Sequence, residues 1–200
     1  MKCLINIVHP YTYKLEGDTV FIGPFPEFEK RDRKIVSFIR KYLDLGHQVL
    51  HHRDKNPKHI DGALRDILFL NDPIYGGLFQ DPRMDFVVTT PLGQPIPDNR
   101  PEAIKLKNWE NYVTYFTTDS GFKNKIKEHD INIFIGGCLD ACLANAMGYY
   151  HENIRKPGEK MYYVLELSTI YDNSKLYDVT KKLIERNIFN LNYEEAMSLI

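Results

Sequence analysis

Short, continuous apolar runs alternate along this chain with stretches whose apolar residues recur every three or four positions. Residues 2–8 (KCLINIV) form the first run and predict a buried strand. Residues 21–26, rich in Gly and Pro, predict a loop, and Pro26 suits the first turn of a helix. That helix carries the stripe Ile35, Phe38, Ile39, Tyr42 and Leu43, and Gly46 closes it. Residues 47–53 (HQVLHHR) predict the next strand, ending at Asp54, followed by a helix striped by Ile60, Ala63, Leu64, Ile67 and Leu68. A strand at 85–90 (DFVVTT) leads into a proline-rich surface loop over 91–101, and residues 103–106 read as a brief strand. Thr118 or Asp119 can cap a helix reaching His129, with Phe122 and Ile126 inward. Residues 131–135 (INIFI) form a further buried strand that ends in Gly136-Gly137. Leu139, Cys142, Leu143, Ala146, Met147 and Tyr150 then follow at helical steps. A strand over 161–167, a helix striped by Leu176, Val179, Leu183 and Ile184, an edge strand over 187–191 and a last short helix over 193–200 complete the pattern.

Strands that alternate with helices, and that are apolar on both faces, argue for one α/β domain over residues 1–200. The expected architecture is doubly wound: a mostly parallel sheet with helices on both faces. Composition narrows the partners. The formal net charge is -1, so no bulk attraction to nucleic acid is expected, and Lys123, Lys125 and Lys127 read as a solvated face. No apolar run approaches membrane length, and the first residues lack the long apolar stretch of a secretory signal. Three cysteines cannot build a disulfide framework, so a reducing, cytoplasmic location is expected. A small-molecule substrate is the expected partner, with neither nucleic acid nor membrane, and a homo-oligomer is compatible with the pattern. Neither G-x-G-x-x-G nor G-x-x-x-x-G-K-[ST] occurs, which weakens a flavodoxin-like nucleotide- or phosphate-binding reading.

Candidate chemistry concentrates in residues 131–150. A strand, a glycine turn and a helix place backbone N–H groups at the carboxyl edge of a parallel sheet, where open α/β sheets bind ligands. A cysteine there feels the positive end of the helix dipole, which favours its thiolate. Cys142 is therefore the first candidate nucleophile. It also lies on the apolar stripe, where an unpaired cysteine serves as a small buried hydrophobe. Cys138 sits on the turn, and the C-x-x-x-C spacing is not the redox C-x-x-C.

Residues 136–143 (GGCLDACL) resemble the motif G-[VI]-x-T-D-x-C-V of the isochorismatase-like superfamily, the cysteine hydrolases that include nicotinamidases. Leu139 stands in place of the usual threonine and Gly137 in place of a β-branched residue. Other pieces follow in order. Residues 46–57 resemble the second strand and its D-x-H-P sequel, residues 114–118 the S-A-F-x-x-T segment, and residues 191–200 the closing helix. The resemblance implies an amidase-like cysteine hydrolase acting on a small amide or related carbonyl compound through a thioester. Of its Asp-Lys-Cys triad, the cysteine maps to Cys142 and the lysine to Lys107, with Lys105 as competitor. Asn6 stands where the resemblance puts the aspartate, and an amide cannot take the thiol proton. His9 is the nearest replacement. Backbone N–H groups of the 139–142 turn would hold the oxyanion. His9, Gly137, Cys138, Leu139 and Trp109 are the candidate substrate contacts, and Phe25, Phe28 and Tyr112 further pocket aromatics.

Nicotinamidases of this superfamily bind a divalent ion after the second strand. Here Asp54, Asn56 and His59 make a poor zinc set, and His51 and His52 alternate across a strand, so no metal or other cofactor is expected. The missing carboxylate keeps a second class open: a catalytically impaired small-molecule-binding or assembly protein on the same scaffold.

Overall fold

A computed structural model describes residues 1–10, 12–16, 19–23, 26–54, 73–79, 81–89, 126–170 and 172–199. The chain opens with β1 (Cys3–Val8), then β2 (Thr12–Glu16) and β3 (Thr19–Gly23), a single 3-10 turn and the long helix α1 (Glu29–Asp44). Strand β4 (Gln48–Asp54) follows, then a short helical turn at Gly76–Phe79 and β5 (Met84–Thr89). The second half holds β6 (Ile131–Gly136), a π-type turn (Leu139–Leu143), α2 (Ala144–Asn153) and β7 (Lys160–Val164). It closes with α3 (Leu176–Glu185), β8 (Ile188–Leu191) and α4 (Tyr193–Ser198).

The six long-range strands form one sheet in the order β5-β4-β1-β6-β7-β8, every pair parallel. From β1 the chain winds outward through β4 to β5, then returns to the other side of β1 for β6, β7 and β8. The winding therefore switches direction between β1 and β6, and that is where ligands bind in open α/β sheets.

Both faces are covered, and β1 and β6 are apolar apart from Asn6 and Asn132. On one face Cys3, Ile5 and Ile7 of β1 and Ile131, Ile133 and Ile135 of β6 pack with Ile35, Phe38, Ile39 and Tyr42 of α1. On the other, Leu4, Val8, Leu50 and Phe134 pack with Cys142, Leu143, Ala146, Met147 and Tyr150. The stripe expected for α1 is buried, and Gly46, at φ 77°, ends that segment with its amide on the Leu43 carbonyl. Helix α4 is tied to α1 by the Tyr42 hydroxyl, which donates to the Ala196 carbonyl at 2.6 Å.

Four expectations change. Residues 21–23 are not loop: they complete β3, which pairs antiparallel with β2 as a separate two-stranded ribbon. Residues 126–129 are not helical, and His129 instead turns its ring toward Asn132 and Tyr150. Strand β7 stops at Val164, where a 3-10 turn (Leu165–Leu167) begins. Ile184 is exposed, so α3 buries a narrower stripe, with Leu183 as its deepest residue. The helix expected over 60–68, the loop over 91–101, the strand over 103–106 and the start of the helix at 118 lie outside the described residues. Among the described residues, no helix is long and apolar enough to cross a membrane.

Candidate active site

Strands β1 and β6 end together at the switch point, and β4 runs on beside them to Asp54. Val8 of β1 is level with His52 of β4 and with Gly136 of β6. The chain leaves β1 through His9, which is almost fully buried and holds φ at 38°. A left-handed backbone is uncommon for any residue but glycine, and such strain collects at functional sites. The His9 amide donates to the His52 carbonyl at 3.2 Å, which anchors the bend.

Gly136-Gly137 lets β6 and the following turn come close to that bend. Gly136 sits at φ 107°, and a Cβ there would lie 2.5 Å from the Val8 carbonyl oxygen. A Cβ on Gly137 would lie 2.5 Å from Cys142 Sγ, 2.9 Å from the Val8 oxygen and 3.1 Å from the His9 oxygen. The missing side chain at Gly137 is therefore what admits the Cys142 sulfur against the carboxyl end of β1.

The turn carrying Cys142 is irregular. Ala141 has φ −141° and ψ −108°, outside helical values, and regular helix begins only at Ala144, two residues after Cys142. The turn is pinned from a neighbouring loop: Leu139 N donates to the Thr169 carbonyl at 2.8 Å, and Thr169 N to the Gly137 carbonyl at 3.1 Å. Cys138 Sγ lies 3.1 Å from Thr169 Oγ1, and Asp140 accepts from the Asp172 amide at 3.0 Å. Cys142 is 7% exposed, with its sulfur 4.0 Å from the Cys138 carbonyl oxygen. Thr169 was not singled out in the sequence, and no local pattern marks it.

Asn6 lies on the same face as Val8 but two residues deeper, level with Phe134. At about 3.3 Å of rise per residue, that is about 7 Å below the edge. Its amide joins a buried polar row. His52 Nε2 lies 2.9 Å from Asn6 Oδ1, and Asn6 Nδ2 donates to Asn132 Oδ1 at 3.2 Å. Asn132 Nδ2 lies 2.7 Å from His129 Nε2 and donates to the Tyr150 hydroxyl at 3.1 Å. Glu159 Oε1 stands 3.1 Å from His129 Nε2. The row thus crosses β4, β1 and β6 diagonally, beneath α2. Burial, with a smaller contribution from His9, lowers the His52 pKa to about 3, so its imidazole is neutral at ordinary pH. Burial also holds the Tyr150 phenol far above its ordinary value. The signal for this row was present: Asn6 and Asn132 interrupt otherwise apolar strands, and buried amides require partners.

The structure thus brings together Cys142, Cys138, Gly137, Leu139 and the His9 bend, with Asn6 set back behind them. Lys105, Lys107, Trp109, Tyr112, Phe25, Asn56 and His59 lie outside the described residues. Asp54 is the last residue of β4. Phe28 serves as a platform for the Arg31 guanidinium, 5.3 Å from its ring centre. Among the described residues no group of three His, Cys, Asp or Glu side chains could hold a metal ion.

No protein-family model and no curated protein sequence matches the chain. Solved structures do. The nicotinamidase/pyrazinamidase of Bacillus subtilis superposes with a TM-score of 0.57 at 11% identity, over 95% of this chain and 99% of that one. The nicotinamidase of Staphylococcus aureus gives 0.52 at 12% identity, over 96% and 100%. A putative MAR1 ribonuclease of Leishmania major gives 0.55 at 9% identity, over 98% and 81%. The fold is the isochorismatase-like α/β fold expected from the resemblance.

Proposed function

We propose that this chain is a cysteine hydrolase of small amides or related carbonyl compounds, with Cys142 as nucleophile. One observation carries the reading: the side-chain-free Gly137 seats the Cys142 sulfur at the switch point, beside the carboxyl end of β1. The fold is shared with proteins named for amide hydrolysis, which makes a small amide the substrate class to test first.

In this reading His9 takes the Cys142 proton, standing in for the carboxylate that the resemblance expects at position 6. The thiolate attacks the amide carbonyl carbon. Backbone N–H groups of the Leu139–Leu143 turn hold the oxyanion. The tetrahedral adduct collapses as the His9 imidazolium protonates the leaving amine, and a thioester remains on Cys142. Water then attacks the thioester, giving up a proton to His9, and the acid departs as the sulfur recovers that proton. Lys107 is assigned the supporting charge that favours the thiolate. Ammonia release from a panel of primary amides tests the proposal: turnover by the wild type and none by Cys142→Ala is the expected result.

Val8 favours a second reading. It is the apolar residue of β1 level with Gly136, at the strand end beside the cysteine turn. A protein that binds a small molecule or assembles on this scaffold without turnover needs no proton acceptor at that strand end, nor a carboxylate at position 6. It would leave Cys142 as a packing residue, inert to alkylation near neutral pH.

A further inference from the structure

The buried row beneath α2 has a direction, and its direction can be read from one end. The Lys127 carbonyl oxygen can only accept, and His129 Nδ1 lies 2.7 Å from it, so Nδ1 carries the hydrogen. With that hydrogen on Nδ1, Nε2 has one lone pair, and it takes the Asn132 Nδ2 hydrogen at 2.7 Å. The Tyr150 hydroxyl, 2.8 Å from Nε2, accepts from Asn132 and turns its own hydrogen to Glu159. With the Asn132 nitrogen committed as donor, its oxygen must accept, and Asn6 Nδ2 donates to it. Asn6 Oδ1 is then the acceptor that faces His52 Nε2 at 2.9 Å. Each amide is oriented by the one before it, back to the His129 Nε2 lone pair.

We propose that Asn6 is a positioning residue: its amide oxygen holds the buried His52 ring as the neutral Nε2–H tautomer, and His52 in turn holds the strand end that carries His9. The second half of that link is the His9 amide, which donates to the His52 carbonyl at 3.2 Å. The consequence for catalysis rests on the cysteine-hydrolase reading, in which His9 takes a proton. A charged His52 would oppose a second positive charge on His9. An amide at position 6 accepts one hydrogen from His52 without drawing a proton onto its other nitrogen, as a carboxylate would. Asparagine at this position is on this account a fitted part of the site and not the remnant of a lost acid.

The imidazole nitrogens report this directly. In the ¹⁵N-labelled full chain at pH 7, long-range ¹H–¹⁵N spectra should show His52 neutral and protonated at Nε2, its signal identified by its loss in His52→Gln. Asn6→Asp, nearly identical in shape, should convert that signal to one protonated at both nitrogens. A wild-type His52 protonated at Nδ1 would mean that the row runs the other way, from a His129 imidazolium paired with Glu159, and would overturn the proposal. So would a His52 signal unchanged by Asn6→Asp. Alkylation of Cys142 in the same wild-type sample tests the catalytic reading separately. An Nε2–H His52 beside an inert Cys142 supports the Asn6–His52 arrangement and removes the hydrolase reading.

Discussion

Two asparagine amides sit wholly inside the apolar layer beneath α2, and each would cost about 1–3 kcal/mol if left without partners. Asn6 and Asn132 bond to one another, and each reaches onward to a histidine, so the cost is offset along the whole row. His52 makes this row sensitive to acid. Its folded pKa is about 3, against about 6.5 for a histidine in the unfolded chain. Between those values the unfolded chain binds the additional proton, so stability falls as pH drops from about 7 toward 3. From pH 7 to 5, His52 alone should cost about 2 kcal/mol. Urea midpoints at the two pH values measure it, and His52→Gln should show a shallower decline. His47 and His151 are also lowered by burial and contribute in the same direction, so the difference between the two proteins isolates His52.

The element that matters most is the turn joining β6 to α2. Gly137→Ala would drive a methyl group against both Cys142 Sγ and the Val8 carbonyl oxygen, and backbone cannot yield as a side-chain tip can. We expect a loss of about 2 kcal/mol in thermal or urea unfolding, together with slower labelling of Cys142. Gly158→Ala is the comparison, since its Cβ would meet nothing within 4 Å and its cost comes only from a positive φ. At the far end of the chain, Asn192 and Glu195 cap α4 reciprocally, so Asn192→Ala should cost about 1 kcal/mol in the same assay, with Cys142 labelling unchanged. The stripe from Leu139 to Tyr150 was legible because all six positions face one core. The π-type start of that segment was not legible, since the same spacing of apolar residues fits a regular helix. Nor was the β2–β3 ribbon, where Gly and Pro near residue 24 suggested loop and hid the alternation before them.

For the molecule as a whole, the parallel sheet followed from strands that are apolar on both faces, and the order of motifs anticipated the isochorismatase-like fold. The depth of each residue along its strand did not follow. A motif places Asn6 in β1 but cannot say that it pairs with Phe134 while Val8 reaches the edge, because register is set by the packing of β6 against β1. Hence Cys142 and His9 could be assigned to one edge from sequence, while the buried row behind them could not be traced. The account stands on Cys142 being an activated thiol at that edge. Its alkylation rate by iodoacetamide, followed by peptide mass spectrometry at pH 7 alongside Cys3 and Cys138, measures this most directly. Cys3, whose thiol is pushed up to about 11 chiefly by burial, is the internal standard for an inert cysteine. The account predicts that Cys142 labels at least about tenfold faster than Cys3, and that His9→Gln removes most of that advantage. Equal, slow labelling of Cys142 and Cys3 in the folded wild type would contradict it.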